Sequence, residues 1–109
     1  MIEPPSASLV APFLQFFFAE HLIAHRRVSP ETVASYRDTF RLLLPFAAKK
    51  NKKAIEKLLV EEINPTIVKT FLAELEAKRG CSTTTRNQRL AAIHAFAKFV
   101  GLHNPEHVE

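Results

Sequence analysis

Two hydroxyl-led segments carry the residues with the clearest chemistry in this 109-residue chain. Ser29-Pro30-Glu31-Thr32 is followed by Tyr36, Arg37 and Arg41, and Ser82-Thr83-Thr84-Thr85 by Arg86, Arg89 and Lys98. The segments are offset by 53 residues, so Ser29 falls on Ser82, Thr32 on Thr85, Tyr36 on Arg89, Phe40 on Ile93 and Phe46 on Phe99. Hydroxyls and free backbone N–H groups at a helix start, beside arginine, form a grip for phosphate oxygens. No Ser/His/Asp or Cys/His pairing suggests a catalytic centre, and no Cys/His spacing resembles a metal site. The chemistry is recognition of an anion.

Charge distribution sharpens that reading. The net charge is +4 with a pI near 9.5. From residue 77 to 105 the chain carries Lys78, Arg79, Arg86, Arg89 and Lys98 and no acid, and Lys49, Lys50, Lys52 and Lys53 form a second basic stretch. Glu56, Glu61, Glu62, Glu74 and Glu76 gather between them. Segregation of this kind favours an anionic partner on one face. Cys81 stands alone, so no internal disulfide can form and a reduced, intracellular setting is expected. The Phe/Leu/Ala-rich stretch 9–24 is interrupted by Pro12, Gln15, Glu20 and His21 and falls short of the ~20 apolar residues of a membrane span.

Positioning these residues requires helices. An apolar fraction of 47% and only two glycines suit a single helical domain. Residues 1–8, with Pro4 and Pro5, read as a flexible lead. The first helix is expected from about Leu9 to Arg27. Ser29 as N-cap and Pro30 at the first position open the second, and Pro45 is expected to kink or end it. Its apolar stripe is Val33, Tyr36, Phe40, Leu43 and Leu44. A short helix is expected over Lys53–Leu59. Asn64-Pro65 opens the third long helix and Gly80 closes it. Ser82 opens the fourth, which buries Leu90, Ile93, Phe96, Ala97 and Val100 and ends near Gly101. No stretch alternates with period two. The fold class is all-α: a four- to five-helix bundle over residues 9–103, with 104–109 beginning a linker.

At helical spacing the fourth helix turns Thr84, Asn87, Gln88, Ala91, His94, Ala95 and Lys98 away from its apolar side. Asn, Gln and His can hydrogen-bond base edges, and alanines let a backbone approach a groove. The second helix places Arg37 and Arg41 one turn apart, with Asp38 able to orient Arg41. Arg89 lies at the border of the apolar stripe and can either snorkel out or brace the fold. Each feature also has a plain structural reading. Ser29 and Ser82 cap helices with or without a ligand, and a surface arginine pair is usually just solvated. The duplication is what lifts them above that. Phe16-Phe17-Phe18 is a separate signal: three consecutive aromatics either sit between two neighbouring elements or form an exposed patch for another protomer.

Ser29-x-x-Thr32-x-x-x-Tyr36-Arg37, then Gly80-x-Ser82-x-x-Thr85-x-Asn87-x-x-Leu90-Ala91-Ala92-Ile93-His94-x-Phe96, resembles the N-terminal core-binding domain of tyrosine recombinases of the phage-integrase type. The likeness covers roughly residues 9–103. It implies a SAM-like orthogonal bundle forming half of a C-shaped clamp on one recombination half-site, with two helices, here the second and fourth, facing the major groove. Where many members carry arginine, this chain has His94. The catalytic domain of that family carries an arginine pair and a tyrosine nucleophile. The one tyrosine here, Tyr36, lies within the first binding helix, so the chain is expected to be non-catalytic by itself, lacking that domain.

The expected function is therefore binding of double-stranded DNA, without cofactor or metal, in the cytoplasm. The DNA-binding residues are Ser29, Thr32, Arg37, Arg41, Ser82, Thr84, Arg86, Asn87, Gln88, His94 and Lys98. Other recombinase protomers on DNA are expected to meet Phe16, Phe17 and Phe18, and no membrane contact is expected. The alternative is a helical protein–protein interaction module working through the Phe-rich first helix.

Overall fold

A computed structural model describes residues 9–25, 27–80 and 82–103, with the backbone alone at 24, 25, 79, 102 and 103. The expected lead at 1–8 and linker at 104–109 lie outside the described residues, as do Arg26 and Cys81. Helix α1 (Val10–Phe16) runs directly into a π-helical segment, Phe17–His25. Helix α2 (Pro30–Lys50) follows, then two 3₁₀ turns, Ile55–Lys57 and Val60–Glu62, then α3 (Pro65–Arg79) and α4 (Thr83–His103). No β-strand occurs among the described residues. The fold is the expected all-α bundle, with α2 packed most extensively against α4.

The helix starts form as their sequences dictate. Ser29 Oγ accepts the Thr32 N–H at 3.1 Å and donates to Thr32 Oγ1 at 3.0 Å. Ser82 repeats this with Thr85, at 3.1 and 3.2 Å. The 53-residue duplication is thus one capping geometry built twice. Asn64 Oδ1 accepts the Ile67 N–H at 2.9 Å, and Gly80, in the left-handed region at φ 58°, ends α3.

Three expectations about the elements are corrected. Pro45 does not end α2, which continues to Lys50. Pro45 is exposed, so the helical bond it cannot donate is lost on the solvent side. The turn after it buries Ala47 and Ala48 and lays Phe46 against Phe71, with ring centroids 5.5 Å apart. That burial offsets a cost of about 3 kcal/mol for an interior proline. Lys52 then closes α2 at φ 55°, with Lys52 N–H on Lys49 O and Lys53 N–H on Ala48 O, the paired bonds of a Schellman motif. The expected short helix at Lys53–Leu59 shrinks to the Ile55–Lys57 turn. Gly101 does not stop α4, which runs on to His103.

The first helix is continuous in sequence but changes its winding at Phe17. Hydrogen bonding five residues on places positions i and i+5 on one face. Phe17 and Leu22, five apart, are both buried. Ordinary α winding would separate them by roughly 140°. The wider turn is therefore what allows both into the core.

The core gathers Phe13, Phe17, Leu22, Phe40, Leu43, Phe71, Leu72, Ala92, Ile93, Phe96, Phe99 and Val100. Ala97, expected inside, is exposed, and Ala95, expected outside, is partly buried against this cluster. Phe96 and Phe99 set the rotation of α4, because an aromatic side chain gains far more from burial than a methyl group. Of the two readings of Phe16-Phe17-Phe18, the packing supports the one that sets the rings between neighbouring elements. Phe17 is fully buried with its ring 5.4 Å from Phe96 and 5.3 Å from Phe99. Phe16 packs on Phe99 at 5.7 Å, and Phe18 meets Phe40 edge-on at 6.2 Å. Phe16 and Phe17 thus pack toward α4 and Phe18 toward α2.

A smaller cluster of Val10, Ala47 and Leu58 ties the start of α1 to the loop after α2. Val10 N–H donates to Leu58 O at 2.9 Å. In the same loop Glu62 accepts the Leu59 N–H at 2.8 Å and pairs with Lys53 Nζ, also at 2.8 Å.

Candidate nucleic-acid interface

The outer face of α2 presents Arg37 and Arg41, both exposed. The Arg37 guanidinium lies 5.7 Å above the Phe18 ring, which restricts its swing without consuming its donors. Arg41 Nη1 stands 3.5 Å from Asp38 Oδ1 with both side chains more than two-thirds exposed. The expected orienting contact is present and, being solvated, weak.

On α4, Thr84, Asn87, Gln88, Ala91, His94 and Lys98 are all exposed. Lys98 has no ion-pair partner among the described residues. Arg86 differs from the expectation of a free cation: its Nε lies 2.8 Å from Glu76 Oε1, with the two side chains 45% and 46% exposed. The Gly80 turn sets the last turn of α3 beside the first turn of α4, and that apposition joins residues ten apart in sequence. Glu76 is thus a site residue that sequence reasoning missed. The signal available was its place one turn before a helix-ending glycine, Gly80, with a helix-starting serine, Ser82, two residues after it.

The two helix starts, equivalent in capping, are not equivalent as anion sites. At α2, Pro30 removes one N–H and Glu31 places a carboxylate in the first turn. The hydroxyls are committed to each other at both starts, Ser29 with Thr32 and Ser82 with Thr85. At α4 the first turn holds no acid, and the N–H groups of Thr83 and Thr84 precede any possible intrahelical acceptor. Charge and free donors coincide only at α4.

In the lysine stretch, Lys53 is committed to Glu62, whereas Lys49, Lys50 and Lys52 are exposed, with Lys50 5.4 Å over the Phe46 ring. Glu74 is held below its ordinary pKa chiefly by a hydrogen bond from Lys78, with the Lys50 and Lys49 charges adding to it. Arg89 is half-buried, and its Nη1 is fully buried without a hydrogen-bond partner. Two open apolar grooves flank these faces. One of about 550 Å³ lies between α1 with its π-helical extension and α2, lined by Leu14, Phe18 and Ile23 and rimmed by Arg37 and Arg41. The other, about 420 Å³, lies between the start of α3 and α4, with His94 and Lys69 among its lining residues. No group of three or more His, Cys, Asp or Glu residues could hold a metal ion among the described residues, and no described helix is long and apolar enough to cross a membrane.

A four-helix arrangement with capped, basic second and fourth helices is what the sequence motif implied, and comparison with known families decides the matter. Residues 17–101 match the phage integrase N-terminal SAM-like domain. The chain belongs to that family. Within it, the chain is 44% identical over 98 residues to a Sinorhizobium fredii protein named as an integrase/recombinase, y4rC, covering 90% of this chain and 30% of that protein. A second protein of the same organism and naming, y4rD, is 42% identical over 97 residues, covering 89% of this chain and 34% of the relative. The chain therefore spans about a third of the length of these relatives. No solved structure matches it significantly.

Proposed function

We propose that this integrase-type domain binds double-stranded DNA through the outer faces of α2 and α4 and does not itself cut or join strands. The observation that carries the reading is the exposed face of α4, where Thr84, Asn87, Gln88, His94 and Lys98 share one surface on a helix without a single acid. Lys98, Arg37, Arg41 and Arg86 act on phosphates, and so do the donors around Ser82. Ser29 and Thr32 contribute chiefly by fixing the start of α2. Asn87, Gln88 and His94 read base edges or groove shape. Strand exchange, and the half-site clamp itself, belong to a longer recombinase that carries a catalytic domain. Its work is placed in the cytoplasm, where its DNA is.

The test is a binding titration with a labelled mixed-sequence duplex at several salt concentrations. Four phosphate-directed cations give a log–log slope of about −3.6. Replacing Arg37 and Arg86 together by Ala weakens binding across all sequences, whereas replacing Asn87 or His94 changes the ranking among sequences. Binding that ignores salt would refute the reading.

One observation favours a second use of α1 as an interaction surface. Ile23 is 53% exposed at the edge of the α1–α2 groove. A contact with another protomer on DNA would be built on Ile23 and that groove, with Phe18 as part of its wall, while Phe16 and Phe17 serve the core.

A further inference from the structure

Arg89 is at odds with its surroundings. It is the one residue among those described with a buried side-chain donor that meets no acceptor. A guanidinium keeps its charge at any accessible pH, and an unpaired buried donor costs stability. A methionine of similar volume would fill the space without that cost. No ion pair joins it to an acid among the described residues, Glu20 of the adjoining π-helical segment included. From Thr83 to His103, α4 carries no acid. The acids of α2 are Glu31 and Asp38, both exposed, and Asp38 faces Arg41. Glu76, nearest in sequence beyond the Gly80 turn, is taken by Arg86.

Helical side chains lean toward the start of their helix. For Arg89 that start is the first turn of α4, where Arg86 and the N–H groups of Thr83 and Thr84 lie. The residue is only half-buried, so rotation about its outer bonds suffices to bring the guanidinium to the surface. We propose that Arg89 is a reserve phosphate contact, withdrawn in the free domain and turned outward onto a phosphate oxygen when a duplex seats against α4. This rests on the DNA-binding reading above. A local break of the packing rules is repaid at the functional surface: an unsatisfied donor in the free state becomes a charge-assisted hydrogen bond in the bound one.

The experiment compares the wild-type chain with Arg89→Met and Arg89→Lys, using thermal melting without DNA and salt-dependent binding of the same mixed-sequence duplex. The expected result is that Arg89→Met melts no lower than wild type, while its log–log salt slope is shallower by about 0.9, the loss of one phosphate contact. Arg89→Lys retains the wild-type slope, since a flexible ammonium still reaches a phosphate. If Arg89→Met unfolds or melts lower, Arg89 is a brace and the proposal is overturned. It is overturned equally if wild type binds with a steep slope and Arg89→Met matches it, an outcome that leaves the DNA reading standing. Salt-independent wild-type behaviour removes the DNA reading, and this proposal with it.

Discussion

If Arg86 contacts a phosphate, it must first leave Glu76, and removing that carboxylate should tighten DNA binding. The pair is close, at 2.8 Å, but both side chains are nearly half exposed. Solvent screening limits such a pair to roughly 0.2–1 kcal/mol. Glu76→Gln returns that amount to the bound state, and at tenfold per 1.4 kcal/mol this is an affinity gain of about 1.4- to 5-fold. The lost repulsion between Glu76 and the phosphate adds to the gain at low salt and fades within a Debye length of ~8 Å near physiological ionic strength. Stability should change little, because Glu76 lies in the last turn of α3 and opposes the helix dipole there. Fluorescence anisotropy with an end-labelled duplex at low and near-physiological salt measures both contributions, with Arg86→Ala as the opposing control. A Glu76→Gln variant that binds no better, together with an Arg86→Ala variant that binds as well as wild type but melts lower, would refute the reasoning. The ion pair would then be a brace between α3 and α4.

Three further outcomes test the framework that holds the site. Ser82→Ala removes the hydroxyl that accepts the Thr85 N–H and should cost about 1 kcal/mol by denaturant unfolding. Lys52→Gly relieves a left-handed lysine and should stabilise the domain by roughly 0.5–1 kcal/mol, read as a higher melting temperature. Glu62 is held below its ordinary pKa of 4.5, first by the hydrogen bond from Lys53 and then by that from the Leu59 N–H. Its contribution is therefore complete above about pH 4.5 and is lost as pH falls through the lower folded value. Glu62→Gln should remove that acid-side loss and cost about 1–2 kcal/mol at neutral pH, measured by chemical unfolding across pH.

Local chemistry made much of this domain legible from its residues alone. Ser29, Asn64 and Ser82 mark helix starts because their side chains satisfy N–H groups three residues on. Gly80 marks a helix end because it accepts a left-handed backbone at no steric cost. Spacing also placed Asn87, His94 and Lys98 together, since a helix fixes which residues share a face. Each of these decisions is made within one or two turns of chain.

What the chain could not announce depended on partners far away in sequence. Pro45 stays inside α2 because Phe46 finds Phe71 and Ala47 finds Val10 and Leu58. The winding changes at Phe17 because Phe96 and Phe99 of α4 wait on one side and Phe40 of α2 on another, and three adjacent rings can be divided among them. Arg86 acquired Glu76, and Arg89 Nη1 was left without an acceptor, only once the Gly80 turn and the packing of α2 on α4 had set those helices in place. Helix boundaries and faces follow from short-range hydrogen bonding, which the sequence by itself determines. Burial and ion pairing are settled by the competition among distant side chains for one small core, and only the tertiary structure decides it.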